Sequence, residues 1–147
     1  MIEAINTHQV FDWLWTSGQP SEADILQFPR LGIETVINLA LPSSANALPR
    51  EAEIVTGMDM NYFQIPVVWE FPDHDQLRLF FQLMNMFQGT PTWVHCAKNM
   101  RVSVFVYLYR KLHLHEADEA AIFPLREVWQ PDNVWRRFID EALSRRK

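Results

Sequence analysis

The sequence predicts an α/β domain, with a central, mostly parallel sheet of four or five strands flanked by helices. Short runs rich in β-branched and aromatic residues alternate with longer helical runs, the pattern of parallel strands joined through helices. The run Thr35-Val36-Ile37 is typical of a parallel strand buried on both faces. The chain holds 147 residues, a length that fits a single domain, and it shows no repeat, low-complexity segment or linker. Residues 1–147 are therefore read as one domain.

The elements follow in order. Residues 10–15 alternate loosely between apolar and polar and end at Ser17-Gly18, which predicts a first strand and a turn. Pro20-Ser21 opens a helix, with Ser21 and Asp24 at the spacing of a capping box. That helix runs to about Arg30 and stops before Gly32, with Pro29 shortening its last turn. Residues 34–39 form the next strand. Residues 41–49, rich in Ser, Ala and Pro, form a loop, and residues 50–58 a helix. Residues 61–68 form a third strand, with Pro66 near its end. Residues 73–88 read as an amphipathic helix, with Leu77, Phe80, Phe81, Met84 and Phe87 among its apolar members. Asp73 and Gln76 can cap its start, and Gly89 ends it. Residues 92–103 read as a short buried strand, a tight polar turn and the start of a helix. Residues 115–128 and 133–146 predict two more helices. Pro131-Asp132-Asn133 announces the second, and Arg145-Arg146-Lys147 suits the negative end of its macrodipole.

Composition narrows the function classes. Hydrophobic residues make up 48% of the chain, within the globular range. A net charge of −5 speaks against nucleic acid or an anionic membrane as partner. No apolar run approaches the length of a membrane helix, and the N-terminus lacks a signal pattern. The single cysteine cannot form an internal disulfide, which fits a reducing cytoplasm. Cys/His spacing for zinc is absent, so no metal and no cofactor is expected.

The chemistry concentrates in residues 92–103, Thr-Trp-Val-His-Cys-Ala-Lys-Asn-Met-Arg-Val-Ser. Cys96 lies between strand and helix, with Lys98 and Arg101 close behind it. A thiol at a helix N-terminus faces unpaired N–H groups and the positive end of the macrodipole. Cysteines so placed ionise more readily than free ones. The same N–H groups make a binding site for an oxyanion such as phosphate. A nucleophile and an anion cradle in one turn suit cysteine-dependent phosphoryl transfer. A free cysteine is also a common small core residue, and that alternative stands beside the functional one.

His95-Cys96 with Arg101 and Ser103 resembles the signature loop of the cysteine-dependent tyrosine and dual-specificity phosphatases. In that family the motif is His-Cys, five residues, Arg, then Ser or Thr, with a Gly three places after the Cys. Here Arg101 stands five places after Cys96, so four residues intervene; Asn99 replaces the Gly and Val102 takes the usual Arg place. One residue along a helix turns a side chain by about 100°. Either the loop is one residue tighter, or Arg101 reaches the anion from another direction. Asn is among the few residues that accept a left-handed backbone. Residues 16–24, 36–39 and 65–67 also resemble a small bacterial phosphatase-like subfamily of poorly defined function, which carries a similar shortened loop.

The resemblance implies a phosphatase-like three-layer fold and a set of roles. Cys96 is the expected nucleophile and Arg101 the phosphate clamp. Ser103 would donate to the departing thiolate, or else bond a carbonyl one turn earlier. His95 would orient the loop by hydrogen bonding. Ala97, Lys98, Asn99 and Met100 would surround the anion, Lys98 adding positive potential at the rim. A general acid is expected on an upstream loop, where Phe71-Pro72-Asp73 resembles the family's Trp-Pro-Asp. Asp73 competes there with Glu70 and Asp75, and its alternative role is a helix cap.

The expected function is hydrolysis of a phosphomonoester through a cysteinyl phosphate. Its partner would be a phosphorylated small molecule or a phosphoprotein, protein phosphotyrosine included. Two alternatives stand beside it: a weakly catalytic module that binds a phosphorylated or anionic ligand, and a rhodanese-like sulfurtransferase.

Overall fold

The computed structural model describes residues 1–145. Five strands form one sheet: β1 His8–Phe11, β2 Leu14–Ser17, β3 Thr35–Asn38, β4 Asn61–Gln64 and β5 Thr92–His95. Their order across the sheet is β1-β2-β5-β3-β4. Only β1 runs antiparallel, on β2; every other pairing is parallel. Among the described residues, seven α-helices accompany the sheet: α1 Glu22–Gln27, α2 Glu51–Gly57, α3 His74–Phe87, α4 Met100–Leu112, α5 Asp118–Ala121, α6 Leu125–Val128 and α7 Asn133–Ser144.

Neighbouring residues on the two central strands point to opposite faces, as the strand period of two demands. Ile37 and Val94 enter one core with Phe80 and Met84 of α3, Phe105 of α4 and Trp135 and Phe138 of α7. Val36 and Trp93 enter a second core with Ile25 of α1, Phe28, and Val55 of α2. The sheet is thus covered on both sides, which is the expected three-layer arrangement. β3 and β5 are buried along their whole length, as their apolar sequence foretold. α4 is buried from Arg101 to Arg110, the central helix of its layer.

Four predicted elements change. The single strand expected at residues 10–15 is a hairpin, because Asp12-Trp13 form a tight turn in its middle. The third strand stops at Gln64, two residues before Pro66, which has no N–H to give a ladder. The helix expected over 115–128 is two short helices. Pro124 lies in the middle of that run; it lacks an N–H and disfavours a helical residue before it, so α5 and α6 separate. At α3, the Asp73 carboxylate accepts from the Asp75 N–H at 2.7 Å, while the Gln76 amide donates to Pro66 O, so no box with Gln76 forms. Ser21 and Asp24 do form the expected capping box on α1. α1 gives way to a 3-10 turn at Phe28–Leu31, ended by Gly32 at φ +77°. α7 begins where expected, with the Asp132 carboxylate accepting from Trp135 N–H. Arg146 and Lys147, assigned to its basic end, lie outside the described residues.

The carboxyl ends of β2, β5 and β3 align, with Ser17 and Asn38 both opposite His95 in register. Loops leaving the ends of parallel strands gather there, and ligand sites of open α/β sheets lie in that crevice.

Candidate active site

β5 ends at His95, four residues turn, and α4 begins at Met100. Asn99 holds the turn at φ +69°, the left-handed conformation that asparagine tolerates. Its side chain does not cap the helix. Its amide instead donates to Asn6 O at 2.8 Å and Thr16 Oγ1 at 3.1 Å. The first intrahelical partner is Ser103 N–H, on Asn99 O at 2.8 Å. The N–H groups of Met100, Arg101 and Val102 therefore have no acceptor within the helix.

The turn is held from outside through its carbonyls. Cys96 O meets His95 Nδ1 at 3.3 Å. Ala97 O accepts from the Gln19 N–H and from the Asn46 amide, both at 3.1 Å. Lys98 O accepts from the Asn6 amide at 3.0 Å. In a trans peptide the N–H points opposite to the C=O. Turning three successive carbonyls outward therefore turns the N–H groups of Ala97, Lys98 and Asn99 the other way. Gly18 makes this packing possible, because a Cβ there would stand 2.7 Å from Ala97 O.

A cavity of about 250 Å³ lies against the turn, lined by Trp69, Cys96, Ala97, Lys98, Met100 and Arg101. Cys96 is only 1% exposed, yet it forms part of this wall. Arg101 is 6% exposed and faces the same space. One terminal nitrogen of its guanidinium donates to Val67 O at 2.8 Å, and the group lies 5.9 Å from the centre of the Trp69 ring. Its Nε is buried without a protein partner. An unpartnered buried donor costs free energy, and an oxyanion in the cavity is the acceptor that suits it.

Arg101 enters the cavity, while Val102, in the family's usual Arg place, is fully buried in the core. Ser103 does not line the cavity. Its hydroxyl donates to Met100 O at 2.8 Å and accepts from Trp129 Nε1 at 3.1 Å, the bond to a preceding carbonyl. His95 is wholly buried, with Nε2 2.6 Å from a Glu51 carboxylate oxygen. Lys98 is exposed at the rim. Among the described residues, no carboxylate lines the cavity. Asp73 and Asp75 border a separate depression with Phe71, Pro72, His74 and Arg145, and Glu70 is exposed. Among the described residues, no cluster of His, Cys, Asp or Glu could hold a metal.

Four residues around the site carry no functional signal in the sequence alone. Glu51 lies within the helix predicted over residues 50–58 with nothing local to single it out, and only its burial reveals it. Trp69 and Trp129 carried no signal beyond being aromatic. Gln19 stood inside the resembling stretch, but its bond to the loop is a tertiary fact.

No family model and no curated protein matches the chain. Among solved structures, a candidate phosphatase of the DUF442 family from Shewanella putrefaciens CN-32 is 30% identical, with a TM-score of 0.85 over 97% of this chain and 94% of that one. The chain belongs to the DUF442 family. Beyond the family the likeness is one of fold. Tk-PTP, solved in its active form, is 14% identical with a TM-score of 0.80, over 95% of this chain and 97% of its own. TpbA of P. aeruginosa, solved in complex with pTyr, is 18% identical with a TM-score of 0.68, over 95% of this chain and 86% of its own. The DUF442 chain described here therefore has a tyrosine-phosphatase-like fold, its His-Cys turn at the carboxyl edge of the sheet. No described helix is long and apolar enough to cross a membrane.

Proposed function

We propose that this DUF442 protein hydrolyses phosphomonoesters through a cysteinyl phosphate. One observation supports the reading: Cys96 and Arg101, whose Nε has no protein partner, line one cavity beside the uncapped start of α4. The Cys96 thiolate attacks phosphorus, an S–P bond forms, and the bond from phosphorus to the leaving oxygen breaks. The Arg101 fork and the loop N–H groups hold the non-bridging oxygens as charge shifts onto them, the larger part of catalysis in phosphoryl transfer. Water then attacks the cysteinyl phosphate, which returns the thiolate and releases inorganic phosphate. Among the described residues the cavity wall offers no acid, so the leaving oxygen departs as an anion and takes its proton from water. The expected substrates are esters of acidic alcohols, aryl phosphates among them. A phosphorylated small molecule or a phosphoprotein would be the natural partner, and no cofactor enters the reaction.

Hydrolysis of 4-nitrophenyl phosphate, its inhibition by vanadate, and the Cys96→Ser variant test this. Loss of a covalent nucleophile lowers kcat by several orders of magnitude. Equal rates in variant and wild type would overturn the proposal. The missing acid and the engaged Ser103 hydroxyl favour one second reading, an anion-binding module without turnover. It predicts vanadate binding by a protein that leaves every aryl phosphate intact.

A further inference from the structure

We infer that Glu51 is a positioning residue of the signature loop, acting through His95. This rests on the reading of that loop as an oxyanion cradle. Glu51 opens α2, a surface-type position, yet its side chain is 5% exposed. Both of its oxygens are engaged. One meets His95 Nε2 at 2.6 Å, and the other accepts from the Gln19 amide at 2.8 Å. The Gln19 backbone N–H in turn holds Ala97 O. The carboxylate thus grips the loop by two routes, one through His95 to Cys96 O and one through Gln19 to Ala97 O. These two carbonyls belong to the peptides that supply the N–H groups of Ala97 and Lys98. Fixing each carbonyl fixes the opposite direction of its N–H.

Stability alone does not account for such a group. Replacing both partners of a buried hydrogen bond with apolar groups of like shape can be nearly neutral or stabilising. What an apolar pair cannot do is hold a histidine ring at one angle and a glutamine amide at another. His95 has Cys96 O on one ring nitrogen and a carboxylate on the other, so its rotation is stopped at both ends. Without Glu51 the ring is free to turn, Cys96 O loses its partner, and the Ala97 N–H no longer points at one place. Preorganised donors are worth most when they need no reorientation as charge arrives.

The test separates positioning from support. Tungstate, an unreactive phosphate mimic, is titrated calorimetrically into wild type, Glu51→Ala, Glu51→Gln and Val55→Ala, with each melting temperature measured alongside. Val55 lies on the same helix but in the second core, fully buried. Glu51→Ala is expected to weaken tungstate at least tenfold. Glu51→Gln keeps an acceptor for His95 and recovers part of that loss. Val55→Ala lowers the melting temperature and leaves affinity unchanged. Wild-type affinity in folded Glu51→Ala overturns the proposal, and so does an equal loss in Val55→Ala. Should Glu51→Ala not fold, Glu51→Gln decides: a displaced Ala97 amide resonance with weaker tungstate binding supports the role, and both unchanged refute it. Wild type that binds no tungstate overturns the cradle itself. Binding without hydrolysis overturns turnover and leaves the role of Glu51 standing.

Discussion

Arg101 and Val102 divide their work by one step of helix. About 100° separates adjacent side chains, so a loop shortened by one residue exchanges which of them faces the turn. The guanidinium takes the cavity, and the valine joins the core. Arg101 spends one terminal nitrogen on Val67 O and keeps Nε free. Lysine would offer a point charge without the planar fork. Arg101→Lys is therefore expected to lower kcat/KM on 4-nitrophenyl phosphate by roughly 10²-fold, the scale of one lost oxyanion donor. A variant as active as wild type would show that the guanidinium does not hold the anion. Asn99 was readable at this scale, since a left-handed turn before a helix selects Asn or Gly. Glu51 was not, because its significance lies in a contact with His95 across 44 positions of chain.

At the scale of elements, α3 shows how one residue type admits two roles. Asp73 was a candidate acid and a candidate cap. In the structure its carboxylate accepts from the Asp75 N–H, and it stands apart from the residues around Cys96. Loss of such a cap costs about 1 kcal/mol. Asp73→Ala should therefore lower unfolding stability by that amount in urea titration and leave the rate on 4-nitrophenyl phosphate at the wild-type level. A rate falling by orders of magnitude would assign it the acid role instead. The break between α5 and α6 has a different origin. Helical periodicity continues through residues 115–128, but Pro124 interrupts the backbone bonding on which the pattern depends.

At the scale of the whole molecule, the chain's three tyrosines report on the packing. Burial pushes Tyr62 up to about 12. Burial also raises Tyr109, and burial with the Asp118 carboxylate, on which its hydroxyl bonds, raises Tyr107. In the unfolded chain each ionises near about 10. Between those values the folded state holds more protons than the unfolded one, so stability falls as pH rises through that window and is unaffected below it. At about pH 10.5, absorbance at 295 nm should show little tyrosinate in the native protein and more than half ionised in guanidinium. Equal native and denatured titrations would mean that the rings are not held as described. Denaturant midpoints should drop from about pH 10 upward.

Local chemistry determined the alternation of strand and helix, the Ser21 cap, the stop at Gly89 and the strand–turn–helix around Cys96. Each depends on residues within one or two turns of chain, where propensity and periodicity act. Tertiary structure decided the rest. It placed Arg101 rather than Val102 in the cavity, sealed Glu51 against His95, and kept the candidate acids out of the pocket wall. Those outcomes depend on which distant backbone carbonyls and side chains meet once both faces of the sheet are covered, and no local pattern in the chain encodes that meeting.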